Sequence, residues 1–226
     1  QRQMCIRDSE YTGAKVVFVD IDFTTGNIDP KNIKDKITKK TKAIVLISPN
    51  NPTGAVYPPD MIASFYELAR DKKIALIIDE TYKDFLGNIQ PHYLFQKKQW
   101  EETFIQIYSF SKVFSLTGYR VGSIIAGDTT IKSITKIMDT LAICAPRISQ
   151  DAALFGLANL SNWVSEKQQI IKKRCDFVQE LFQSKDMNFE LVSCGAYFAY
   201  IKHPFVDLSA RQAAIKLAKQ ANILCL

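Results

Sequence analysis

Short runs rich in β-branched residues alternate along this chain with longer stretches of helical periodicity, and few folds accommodate that order. KVVFVDI (15–21), AIVLIS (43–48), IALIID (74–79), TFIQIYSF (103–110) and VGSIIAG (121–127) are the strand candidates. Runs this apolar are buried on both faces, and a parallel sheet whose strands are joined by covering helices buries them. Between them, a lysine-rich helix is expected at about 30–37. A second is expected at 60–71, where Met61, Ile62, Phe65, Leu68 and Ala69 fall on one helical face. After Asp128 the character changes. Residues 129–141, 149–160 and 162–182 all carry helical periodicity, followed by strands near 188–192 and 196–202 and a helix over 209–220. The expected class is α/β: a mostly parallel sheet with helices on both faces over 11–161, then a linking helix and part of a small α+β unit over 162–226. Residues 1–10, without an initiator Met or an apolar run, are expected outside the fold.

Composition narrows the function classes. With 47% hydrophobic, 11% aromatic and 23% charged residues, the chain has the proportions of a folded globular protein. The net charge of +6 is too small to imply nucleic acid, and the lysines between Lys31 and Lys42 read as a solvated helix face. No apolar run reaches the ~18 residues of a spanning helix, so no membrane insertion is expected. The five cysteines contain no C-x-x-C pair and only two histidines are present, which argues against a disulfide framework or a metal site and for a reducing cytoplasm. Cys194 is expected to be a packing residue, and His92 and His203 loop residues.

Ligands of open parallel sheets sit beyond the carboxyl ends of the strands, so the polar residues that follow the apolar runs deserve the closest reading. Asn50-Asn51-Pro52-Thr53-Gly54 follows the second run, Asp79-Glu80-Thr81-Tyr82 ends the third, and Ser109-Phe110-Ser111-Lys112 ends the fourth. Gly118-Tyr119-Arg120-Val121-Gly122 comes shortly after the lysine. Singly, each group has an ordinary reading as a turn, a helix cap, a surface lysine or an ion-pair partner. Together they meet the need of a cofactor with an aldehyde, a ring nitrogen and a phosphate. A lysine amine can form a Schiff base, and a carboxylate can hold the ring nitrogen protonated. Hydroxyls and an arginine supply donors to a phosphate dianion. An amide and a phenol can hold a phenolic oxygen.

With those residues in place, the chain resembles the fold-type I pyridoxal-phosphate enzymes, and within them the class I/II aminotransferases. The resemblance runs from about Tyr11 to the end and rests on Asn-Pro-Thr-Gly, Asp-x-x-Tyr, Ser-x-Ser-Lys and Gly-x-Arg-x-Gly, in family order. It implies pyridoxal 5′-phosphate as cofactor and Lys112 as the Schiff-base lysine that also shuttles a proton at the substrate α-carbon. It further implies Asp79 at the pyridinium nitrogen, Asn51 and Tyr82 at the phenolic oxygen, and Ser109, Ser111 and Arg120 at the phosphate. The activity implied is transfer of an amino group between an amino acid and a 2-oxo acid, in a homodimer when full length. A cis Asn51–Pro52 bond is expected from some relatives.

The departures are as specific. Relatives carry residues before this chain's start that supply a phosphate-binding loop and a ring-stacking aromatic, and residues beyond its end that supply an arginine for the substrate carboxylate. Arg211, the last arginine here, is not assigned that role. Gly195-Ala196-Tyr197-Phe198 resembles a small-domain strand of relatives, with Ser193-Cys194 where many have a proline before the glycine. The chain is therefore expected to be an internal fragment, inactive alone and prone to aggregate through uncovered strand edges. The same lysine and aspartate serve C–S β-lyases and other α-carbon chemistries, and some transcription regulators carry an effector domain of this kind.

Overall fold

The computed structural model describes residues 9–86, 89–183 and 187–225. Strands β1 (Ala43–Ile47), β2 (Ala75–Asp79), β3 (Phe104–Ser109) and β4 (Gly122–Ile125) form one sheet in the order β1-β2-β3-β4. The first three are parallel and β4 returns antiparallel to β3. Only a four-residue helix and a single 3₁₀ turn separate β3 from β4. A connection that compact favours a return over a crossover.

One face of the sheet is well packed. Ile44, Leu46, Leu76, Ile78 and Phe104 point alternately toward it and join Ile62, Phe65, Tyr66 and Ala69 of helix α2 (Pro59–Asp71) in one buried cluster. Those four α2 residues are 0% exposed. Proline at the first position of α2 suits a site whose N–H has no intrahelical partner. The preceding helix α1 (Pro30–Lys34) is capped by Asp29, which accepts from Lys31 N at 2.8 Å, and inserts Ile33 into the same cluster. On the other face Val45, Ile107 and Ile124 remain 39–48% exposed, with Ile107 and Ile124 in register as neighbours.

One expected strand is absent. Residues 15–21 form no regular element and pair with no strand among the described residues, and Val17 and Phe18 are exposed. β-branched composition favours a strand, but a strand needs a neighbour for its N–H and C=O groups. Residues 1–8, most of the segment expected outside the fold, lie outside the described residues.

The chain continues through α3 (Phe110–Val113), α4 (Asp128–Leu141), α5 (Arg147–Asn159) and the long α6 (Ser161–Phe182). A hairpin of β5 (Glu190–Gly195) and β6 (Phe198–Lys202) and a final helix α7 (Ala210–Ala221) complete it. α7 opens with a reciprocal cap in which Ser209 and Gln212 bond each other's backbone. The hairpin is seated on the β1 exit loop: Ser193 Oγ donates to the Thr53 carbonyl at 2.7 Å. A Cβ on Gly54 would stand 2.5 Å from the Phe198 carbonyl oxygen and 2.8 Å from Gly195 N, so main chain meets main chain there. No helix among the described residues is long and apolar enough to cross a membrane.

Candidate active site

Register alone gathers the polar groups. Ile47, Asp79 and Ile107 are opposite one another across β1, β2 and β3, so the segments that follow these strands all leave the same edge of the sheet. After β1 the chain closes a tight loop in which Gly54 N donates to the Asn50 carbonyl at 2.7 Å and Thr53 Oγ1 donates to Asn50 Oδ1 at 2.9 Å. Gly54 has φ +70°, the left-handed conformation that glycine adopts freely. The Asn51–Pro52 bond is cis, as expected, and so is Ser48–Pro49, which was not foreseen. From this loop Asn51 Nδ2 reaches Tyr82 Oη at 3.5 Å.

Asp79 is the last residue of β2 and only 8% exposed. Its Oδ1 accepts from both Thr81 N (3.0 Å) and Thr81 Oγ1 (2.6 Å), which fixes the carboxylate plane and leaves Oδ2 without a hydrogen-bond partner among the described residues. Tyr82, 4% exposed, stands edge-on to Tyr197 and Phe198 of the hairpin. Burial pushes its phenol above the ordinary tyrosine range; the Asn51 bond opposes the rise and the Asp79 charge adds to it. At neutral pH Tyr82 is a neutral donor.

Ser109 ends β3 and caps α3, its Oγ accepting from Ser111 N at 3.3 Å. Ser111 is buried and Lys112 half-buried. Lys112 Nζ has no ion pair or hydrogen bond among the described residues. Phe110 N donates to the Val121 carbonyl at 3.3 Å, which brings Arg120 beside α3. Arg120 sits at φ +53° after the 3₁₀ turn and donates one N–H to the Thr117 carbonyl at 2.9 Å. Arg120 as a whole is exposed. Asn51, Asp79, Tyr82, Ser109, Ser111, Lys112 and Arg120 therefore share one edge.

A second polar group lies on the opposite face of the same strand ends. Glu80 is 0% exposed and accepts a hydrogen bond from Gln106 Nε2 of β3. His92, a loop residue as expected yet 3% exposed, has Nε2 3.0 Å from Glu80 Oε1. That contact is within ion-pair range but off the hydrogen-bonding direction. Its Nδ1 accepts from Leu94 N at 3.2 Å. An acid in the inward phase of β2, after Leu76 and Ile78, was the sequence signal for such a buried partner set. His203 follows β6 and stacks on Phe205.

The family description "Aminotransferase class I and II" matches residues 3–226. The aspartate aminotransferase of Sulfurisphaera tokodaii is 31% identical over 222 residues, covering 93% of this chain and 54% of that protein. A probable N-acetyl-LL-diaminopimelate aminotransferase of Bacillus subtilis is 30% identical over 211 residues, 93% of this chain and 53% of that one. Among solved structures, Thermus thermophilus aspartate aminotransferase with maleate superposes with a TM-score of 0.86 at 25% identity, over 95% of this chain and 56% of that chain. The chain thus spans about half the length of the curated relatives it matches. Since the match runs through every segment of the shared edge and nearly from one terminus to the other, the chain belongs to the class I and II aminotransferase family.

Proposed function

We propose that the full-length protein is a pyridoxal 5′-phosphate-dependent aminotransferase that moves an amino group between an α-amino acid and a 2-oxo acid. The observation that carries this reading is the gathering, at one sheet edge, of an amine and a buried carboxylate oxygen that have no partner among the described residues, an amide–phenol pair and a hydroxyl–guanidinium set. Each matches one part of the cofactor. Oδ2 of Asp79 suits a ring N–H, its other oxygen being already committed to Thr81. The long Asn51–Tyr82 contact leaves both donors free to turn toward one oxygen between them. Ser109, Ser111 and Arg120 offer donors to a phosphate.

Bound there, the cofactor supplies a carbonyl that takes up the amine and a conjugated ring that spreads the charge left on the α-carbon. Lys112 Nζ moves the proton, taking it from the substrate α-carbon and returning it. Asp79, held in plane by Thr81, keeps a proton on the ring nitrogen and so maintains the electron demand. Tyr82 Oη and Asn51 Nδ2 stabilise negative charge at the phenolic oxygen and fix the tilt of the ring. The lysine-side half of the pocket is what this chain contributes; the division into 11–161 and 162–226 and a homodimeric whole belong to the same reading. The exposed apolar side chains of α4 and α5, including Ile137, Leu141, Ile148, Leu154 and Phe155, support a partner surface.

A panel of amino donors, aspartate first in view of the relatives' names, tests the reading on the full-length protein with Lys112→Ala alongside. Formation of 2-oxo acid from at least one donor, lost by 1,000-fold or roughly that in the variant, is the expected result. An unchanged rate in Lys112→Ala would remove the lysine from the chemistry.

A further inference from the structure

Tyr82 is the residue before a 3₁₀ turn, Lys83–Phe85, and one side chain of the β5–β6 hairpin touches both ends of that short segment. Tyr197 stands 5.9 Å from the Tyr82 ring with the planes at 78°, and 4.7 Å from the Phe85 ring at 54°. Its neighbour Phe198 meets Tyr82 at 5.1 Å and 83°. Tyr82, Phe85 and Ala196 are buried together in one cluster, yet Tyr197 is 48% exposed. Core packing alone accounts poorly for a tyrosine so placed, because an aromatic ring stabilises a core by the area it removes from water.

The turn that carries Tyr197 is held in one position. Ala196 and Tyr197 form a two-residue turn between the paired Gly195 and Phe198. Ala196 has φ +49° and is 5% exposed. A residue with a Cβ adopts that left-handed conformation at a cost, so its surroundings impose it. On one side they are the Tyr82 cluster; on the other, Gly195 lies main chain to main chain against Gly54, in the loop that presents Asn51. The hairpin therefore rests on both segments whose donors, Asn51 Nδ2 and Tyr82 Oη, stand 3.5 Å apart. Burial raises the phenols of Tyr82 and Tyr197 alike, so the two rings meet uncharged at neutral pH.

We propose that Tyr197 is a positioning residue that acts through Tyr82: its ring fixes the tilt of the Tyr82 phenol, so that Oη is aimed at the same oxygen as Asn51 Nδ2 before any cofactor arrives. Rotation about χ1 and χ2 of Tyr82 would otherwise carry Oη away, and a donor already held in place loses less freedom on binding. The ring of Tyr197 is the effective part, not its hydroxyl, since the contacts to Tyr82 and Phe85 are ring contacts. The inference rests on the function proposed above and adds to it a residue outside the shared edge.

The test is a double-mutant cycle on cofactor affinity. Full-length protein freed of cofactor is titrated with pyridoxal 5′-phosphate and followed by absorbance, for the parent, Tyr197→Ala, Tyr82→Phe and the double variant. Tyr197→Ala should weaken binding about tenfold, the worth of a hydrogen bond to a charged oxygen, and Tyr197→Phe should bind like the parent. Once Tyr82 has lost its hydroxyl, Tyr197→Ala should weaken binding no further. An equal loss in both backgrounds, which a merely structural role would give, or no loss in either, would overturn the proposal. Tyr197→Leu, which keeps apolar bulk without a ring, gives the same comparison where the alanine variant does not fold. Failure of the parent itself to bind pyridoxal 5′-phosphate would remove the function proposed above, and this inference with it.

Discussion

Tyr57 packs edge-on to Phe65 and is 4% exposed, and burial pushes its phenol up to about 12, with a bond to the Ile28 backbone opposing the rise. The folded-state value lies above the unfolded one, so the stabilisation is full below pH 10 and is lost as pH rises toward 12, because only the unfolded chain can ionise this group readily. The loss amounts to roughly 2–3 kcal/mol by pH 12. Urea midpoints of the full-length protein between pH 9 and 12 should fall accordingly, and fall less steeply in Tyr57→Phe; identical slopes would exclude Tyr57 as the source. At this scale the sequence was informative about chemistry and poor about company. Asp79 and Lys112 could be singled out because each stands at the end of an apolar run, where ligands sit, and Arg120 because it comes shortly after the lysine. That Glu80 would meet Gln106 and His92 in particular could not, since such pairings depend on how separate segments pack.

β2 works as an element with two polar ends on opposite faces. Outward it presents Asp79; inward, one residue later, it presents Glu80, whose carboxylate joins β2 to Gln106 of β3 and to the loop at His92. Glu80→Ala would leave the Gln106 Nε2 donor buried without its acceptor and take the carboxylate away from His92 Nε2, at a cost of about 3 kcal/mol. Thermal unfolding should report it as a lowered midpoint, with Glu80→Gln retaining part of the loss; a midpoint equal to the parent's would show the group to be dispensable. The elements most legible from sequence were β1, β2 and β3 and helix α2, where hydrophobic period and burial coincide. The expected strand at 15–21 failed because partnering is not written in its own residues. β4 was anticipated, but its antiparallel sense depended on how little chain separates it from β3.

For the molecule as a whole, the α/β class and its mostly parallel sheet followed from the order of runs, whereas the seating of the hairpin on the β1 exit loop did not. Nothing in Ser193-Cys194-Gly195 announces that its backbone will lie against Gly54, 141 positions earlier by the numbering. Replacing Gly195 by alanine would drive a methyl into the Gly54 carbonyl and the Val56 side chain. The expected cost is 1–3 kcal/mol or roughly that, read as a lowered thermal midpoint, while Ser193→Ala removes only the bond to Thr53 and should cost about 1 kcal/mol. Equal midpoints for Gly195→Ala and the parent would mean that the two segments separate easily in solution. With main chain against main chain at Gly54 and Gly195, the hairpin and the Asn51 loop are hinged together like two arms on one pin: tilting the outer arm turns the amide that reaches for Tyr82.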